Sequence, residues 1–312
     1  MTRALVFPGQ GSQYVGMGKS LAESFEPARL VFQEVDDALS QHLSKILWDG
    51  PEDDLRLTEN TQPALMATSL AVIRVLEHAG HTVAGIASHV AGHSLGEYSA
   101  LAAAGAFSIS DAARLLKRRG EAMQRAVPVG EGAMAAILGL SMDDVTSVAA
   151  EAAQGEVVVA ANDNADGQIV VSGHKGAVER SIELAKARGA KRGLLLPVSA
   201  PFHCPLMQPA AEEMKEALAG VDIIRPSVPV IANVLAAPIS EPEGIRNLLV
   251  EQVTGVVRWR ESVASMGSLG VDQLVEIGAG KVLSGLTRRI DRALACTNIQ
   301  EPADVEAFSE TL

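Results

Sequence analysis

Two rhythms run through this chain, and the change between them limits its fold more than any other feature. From residue 4 to residue 127, short apolar runs alternate with longer helical patterns. "ALVF" (4–7) reads as a buried strand and "PGQGSQ" as a glycine-rich turn, after which helical periodicity covers about 17–39. "TQPALMATSLAVIRVLEHAG" predicts a helix started by Thr61 or Gln62, with Pro63 in its first turn and Gly80 closing it. A strand is expected over 86–91 and a helix over 95–104; another helix opens at Asp111 and runs to Val127, before Pro128. Strands alternating with helices in this way imply a parallel sheet with helices on both faces.

Residues 130–198 keep a different order. "AMAAIL" is strand-like and "SMDDVTSVAAEAA" helical; "EVVVAAN" and "QIVVSG" are strands joined by the turn "DNADG". "KGAVERSIELAKARGA" is helical again, and "RGLLLPVS" is a strand. The sum is β-α-β-β-α-β, the ferredoxin-like order. The expected fold class is therefore α/β: a large unit made of residues 1–128 and 199–312, with a small ferredoxin-like unit over 129–198 inserted into it. The large unit resumes with a helix in "CPLMQPAAEEMKEALAG" and a strand in "VPVIAN". Mostly helical residues 244–268 follow, then a strand in "DQLVEIG" and a helix in "VLSGLTRRI".

Composition removes several function classes. The 312 residues carry a formal net charge of −12, which argues against nucleic acid as a partner, because phosphate binding needs a basic face. Lys and Arg are nevertheless gathered locally, in "LLKRRG", "KARGAKRG", "VRWR" and "TRRIDR". No apolar run reaches the roughly 18 residues of a membrane span, and "MTRALVFPGQG" lacks a signal-peptide pattern. Cys204 and Cys296 suffice for neither a disulfide framework nor a metal site. A cytoplasmic protein is expected.

The chemistry centres on "AGHSLGEYSA", where Ser94 stands between two glycines, after a strand and before a helix. That context suits a nucleophile elbow, whose small neighbours permit a strained turn and leave the hydroxyl at a helix N-terminus. An N-cap serine with glycines placed for packing is the plainer alternative. A serine nucleophile needs a base, and the chain has seven histidines. His93 adjoins Ser94, so its side chain leaves in another direction; His78 and His81 flank a helix end; His42, His89 and His174 have no distinguishing neighbours. His203, in "VSAPFHCPLM", follows a strand ending near Pro197, and strand C-termini are where α/β folds place function. Spacing alone leaves the choice open. "FPGQGSQ" lacks the ending of a P-loop; its Gln10 N–H could join that of Leu95 as an oxyanion hole, though a tight turn fits equally well.

"FPGQGSQ", "GHSLGEYSAL", "RRGEAMQ", "APFHCPLM" and "VEIGAGKVLSGL" occur in the order found in malonyl-CoA:acyl carrier protein transacylases, and the chain resembles that family over its whole length. The resemblance implies an α/β-hydrolase-like large subdomain carrying a ferredoxin-like insertion. It implies that Ser94 accepts the acyl group, His203 deprotonates it, and the N–H groups of Gln10 and Leu95 hold the oxyanion. Arg119, before the glycine of "RRGEAMQ", would bind the substrate carboxylate, and the backbone carbonyl of Gln252 would orient the histidine. Phe202, before the histidine, would either narrow the acyl pocket against a branched group or belong to the core. The implied partners are malonyl-CoA and acyl carrier protein, in fatty-acid biosynthesis, with no metal or redox cofactor. Arg288 and Arg289 resemble a carrier-docking patch, with Lys191 and Arg192 as a second one. The rivals are a serine hydrolase and a non-catalytic carrier-binding scaffold. A hydrolase of this type keeps its histidine near the C-terminus, whereas here a long stretch of chain follows His203.

Overall fold

A computed structural model describes all 312 residues. Its strands are β1 (Arg3–Phe7), β2 (His89–Gly92), β3 (Gly132–Leu138), β4 (Val158–Ala165) and β5 (Gln168–His174). They continue as β6 (Arg192–Leu195), β7 (Val230–Ala232), β8 (Ala237–Ile239), β9 (Gln273–Ile277) and β10 (Ala295–Ile299). Six form a sheet in the order β10-β9-β1-β2-β7-β8, parallel throughout except for β8, which runs antiparallel to β7. β1 explains why this sheet needs two covered faces. Leu5 and Phe7 enter one apolar cluster, Ala4 and Val6 enter another beside Trp259 and Met266, and all four are fully buried.

The second sheet has the order β4-β5-β3-β6, with every pairing antiparallel. Period-two alternation gives it two different faces. Ala135, Ile137, Ile169 and Val171 pack in a core with the helices Met142–Ala153 and Lys175–Ala187. Met134 and Val170, one residue along, join the core of the larger unit instead.

Several boundaries differ from the sequence expectation, each for a local reason. The helix expected from Thr61 spans Thr58–His78, with Pro63 inside it. The Asn60 and Thr61 N–H groups both reach the Leu57 carbonyl, so a turn forms before Pro63. Residues 17–39 hold two helices, Lys19–Ser24 and Glu26–Leu39, because Pro27 suits the first turn of a new helix and not the middle of one. β2 begins at His89 and not at 86, since Val83–Ile86 forms a turn of helix capped by Thr82. The helix assigned from Asp111 starts at Ile109: Ser108 is the N-cap, its hydroxyl accepting from the Asp111 N–H at 3.0 Å. Residues 244–268 are mostly helical, as expected, in two helices, Pro242–Gln252 and Trp259–Ser268. β6 ends at Leu195, on an edge of the small antiparallel sheet. His203 is therefore not at the C-terminal end of a parallel strand; it lies on the loop returning to the larger unit. No helix is long and apolar enough to cross a membrane.

Candidate active site

Ser94 sits two residues beyond β2, at the turn into the helix Gly96–Ala103. The backbone is forced into a left-handed conformation there, with φ of 53° at Ser94, which ordinary L-residues avoid. The flanking glycines make the turn sterically feasible. A Cβ on Gly92 would overlap the Gly96 carbonyl group, and one on Gly96 would collide with the Phe7 carbonyl. The Ser94 N–H donates to Asn233 Oδ1 at 2.8 Å, and Asn233 Nδ2 donates to the Gly92 carbonyl at 2.7 Å, so one asparagine after β7 pins both sides of the elbow.

His203 approaches from the opposite side with its own positive φ of 58°. Its Nδ1 lies 2.9 Å from the Gln252 carbonyl oxygen and its Nε2 lies 2.7 Å from Ser94 Oγ. A carbonyl can only accept, so Nδ1 carries the proton and Nε2 presents its lone pair to the hydroxyl. Burial, followed by the nearby Arg119 charge, pushes the imidazole pKa down to about 3, so the ring is neutral across the physiological range.

Arg119 lies on the buried stripe of the helix Ile109–Ala126, among Ala112, Leu116 and Met123, and is 1% exposed. Its neighbour Arg118 points outward and pairs with Glu213 at 3.1 Å. The Arg119 guanidinium meets no carboxylate directly. Nη1 donates to Gln62 Oε1 at 2.8 Å; Nη2 donates to Gln252 Oε1 at 2.9 Å and to Ser94 Oγ at 3.2 Å. The guanidinium lies 5.7 Å from the Tyr98 ring centre, and its Nε has no partner. Taking this charge from water without a counter-ion is costly, and burial lowers its pKa.

Gln10 and Leu95 lie on the same cavity, which has a volume of about 480 Å³, and neither backbone N–H makes a hydrogen bond within the chain. Phe202, Met134, Val170 and Leu196 contribute apolar wall, so the cavity runs between the two sheets. Arg288 and Arg289 stand apart from it, exposed in the last turn of the helix Val282–Ile290; Arg289 Nη1 donates to Gln168 Oε1 at 2.7 Å. Lys191 and Arg192 are exposed at β6 and do not line the cavity.

Residues 4–298 match the family model for the acyl transferase domain. The chain belongs to that acyl transferase family. It is 46% identical over 310 residues to the malonyl CoA-acyl carrier protein transacylase of Bacillus subtilis, covering 99% of this chain and 96% of the relative. The enzyme of the same description from Escherichia coli K12 is also 46% identical, over 98% of each chain. Among solved structures, an acyl-carrier-protein-S-malonyltransferase from Bartonella henselae superposes with a TM-score of 0.98 at 56% identity, over 100% of this chain and 99% of that one. A malonyl-transacylase in complex with a type II PKS acyl-carrier protein has a TM-score of 0.97 at 44% identity, over the full length of both.

Five polar residues of this acyl transferase stand at or behind the site with no role expected from the sequence: Gln62, Glu97, Asn233 and the pair His93–Asn164, whose Nε2 and Oδ1 lie 2.8 Å apart at the cavity. Glu97 did leave a signal. A carboxylate three residues after Ser94, in a helix otherwise made of small and apolar residues, has no solvent-facing side to occupy. Asn233 and Gln62 left none, because nothing local tells a buried amide from an exposed one.

Proposed function

We propose that this acyl transferase moves a malonyl group from malonyl-CoA to the phosphopantetheine thiol of an acyl carrier protein, through an ester on Ser94, and so supplies extender units for fatty-acid biosynthesis. One observation carries the reading: a single hydroxyl lies 2.7 Å from a neutral imidazole and 3.2 Å from a buried guanidinium without a direct carboxylate partner. The imidazole supplies the base. The guanidinium supplies a reason for the acyl group to be a diacid, since its parallel N–H groups match a carboxylate and its charge is otherwise poorly compensated.

His203 Nε2 removes the Oγ proton as Ser94 attacks the thioester carbon. The tetrahedral oxyanion forms against the free N–H groups of Gln10 and Leu95; one such donor is typically worth about 3–4 kcal/mol. Coenzyme A leaves with the proton held by His203, and the malonyl carboxylate stays on Arg119. The carrier's thiol repeats the same steps in reverse. Proton transfer and oxyanion binding come from these side chains and N–H groups, so the proposed reaction calls for no metal or redox cofactor. Phe202, 8% exposed against the cavity, narrows the space for a branched acyl group.

An acidic carrier needs a basic contact on this acidic enzyme. Arg288 and Arg289 supply one, being exposed in the last turn of their helix, with Lys191 and Arg192 as the alternative. Intact-protein mass spectrometry with malonyl-CoA tests the central reading. Wild type should gain one malonyl group and Ser94→Ala none; an unmodified wild type, or rapid release of free malonate without any thiol acceptor, would overturn it.

A further inference from the structure

Glu97 is one turn beyond Ser94, 2% exposed, and does not reach the cavity. Its Oε2 accepts two hydrogen bonds, from the Asn233 backbone N–H at 3.0 Å and from Gln252 Nε2 at 2.8 Å. Both donors hold parts of the site. Asn233 Oδ1 takes the Ser94 N–H, while Gln252 gives its backbone carbonyl to His203 and its Oε1 to Arg119. Chemistry fixes the Gln252 amide at both ends, because a guanidinium only donates and Glu97 Oε2 only accepts.

The titratable groups around Glu97 are Arg119 from the helix Ile109–Ala126, Tyr98 on its own helix, and beyond Arg119 the imidazoles His203 and His93. Burial keeps the others uncharged near neutrality: His203 is pushed down to about 3, His93 is lowered, and Tyr98 is pushed up to about 12. Arg119 and Glu97 remain as the pair whose charges matter, separated by one amide.

From this geometry we infer that Glu97 is a positioning residue that also matches charge. Its carboxyl holds Gln252 and Asn233 in either protonation state, offsets the Arg119 guanidinium before substrate binds, and takes a proton from solvent when a substrate carboxylate docks on Arg119. The charge-matching half rests on the reading of Arg119 given above. Two carboxylates sharing one buried guanidinium cannot both stay ionised cheaply. Oε1 makes no hydrogen bond and can carry the proton while Oε2 keeps both donors. Burial has already pushed the Glu97 pKa up to about 7, so little further shift is needed. A second anion raises it more, so the complex binds more protons than the free enzyme near and above that value. Affinity for the malonyl group therefore falls as pH rises through it.

The test is KM and kcat for malonyl-CoA between about pH 6 and pH 9, in wild type, Glu97→Gln and Glu97→Ala. In wild type KM should rise about five- to tenfold across that range with a smaller change in kcat, and Glu97→Gln should lack the slope. Glu97→Ala leaves two buried donors unheld and should lower kcat by about 10–100-fold, with most of it restored by glutamine. Calorimetry on Ser94→Ala, in buffers of different ionisation enthalpy, should show proton uptake on malonyl-CoA binding that vanishes when Glu97→Gln is added. A flat wild-type KM, the same slope in Glu97→Gln, or wild-type kcat in Glu97→Ala would overturn the inference. If the malonyl ester on Ser94 forms while the wild-type profile is flat, only this inference falls. If no ester forms, the functional reading itself fails.

Discussion

Asp163 and Arg119 are both charged, both about 1% exposed, and are satisfied in opposite ways. Asp163, on β4, meets Arg260 of the helix Trp259–Ser268 directly, with contacts of 2.8, 3.0 and 3.1 Å that tie the small sheet to the larger unit. Arg119 is held by a serine and two glutamine side chains, and its charge partner Glu97 lies on the far side of Gln252. A charge already matched by a charge is finished, and its role is to hold two elements together. A charge surrounded by neutral dipoles keeps most of its attraction for a carboxylate from outside. The comparison separates the residue that joins the protein from the residue proposed to read its substrate.

The largest effect that would break this contrast is on substrate choice. Arg119→Ala should lower kcat/KM for malonyl-CoA by about 10²–10³-fold, the cost of leaving one partner of a buried charged pair alone. The loss should be much smaller for an acyl-CoA without a free carboxylate, and Arg119→Lys should not restore it. Equal losses with both substrates would place Arg119 with the joining residues. Asp163→Ala should do the reverse. Because Arg260 is about a third exposed, the expected destabilisation is about 1–3 kcal/mol, read from denaturant midpoints, with malonyl loading per folded molecule changed only a few-fold.

A pH measurement sharpens the same point at His203. An ordinary imidazole with pKa near 6.5 would cost about tenfold in available base at pH 5.5. Here burial and the Arg119 charge hold the ring neutral down to about 3. The acid limb of kcat/KM should therefore lie well below the usual imidazole range, and a limb at 6–7 from loss of the base would contradict the geometry. The sign is that of a depressed pKa: the active form is the unprotonated ring, lost only as pH falls through the low value. The smallest effect concerns the surface. The double change Arg288→Glu and Arg289→Glu should raise KM for carrier protein several-fold, less at high salt, and leave KM for malonyl-CoA alone. Equal changes in both would remove this patch from the docking surface.

Much of the fold was legible in the chain. The alternation of apolar runs with helical patterns, and its interruption at 130–198, follow from periods of 2 and 3.6 that the residues carry locally. Boundaries were less so. Pro63 looked like a helix start, but the turn before it forms because Leu57 offers its carbonyl to two later N–H groups. The ordered motifs point to Ser94, His203 and Arg119 together, but the strand that precedes His203 belongs to the other sheet, so spacing alone does not place it. Glu97 lies inside the motif around Ser94, where its residue type alone suggests a solvated position, because a carboxylate in a helix is ordinarily exposed.

The amino-acid order alone determined where strands and helices would alternate, which glycines the serine turn needs, and which types of residue were present to act. Those are local matters, settled by steric freedom and by hydrophobic period. Only the tertiary structure decided that residues 94, 119, 203 and 252 would meet, and that an amide would stand between Arg119 and Glu97. Burial and distance decide what a charge does, and both are properties of the packed molecule that no single stretch of chain contains.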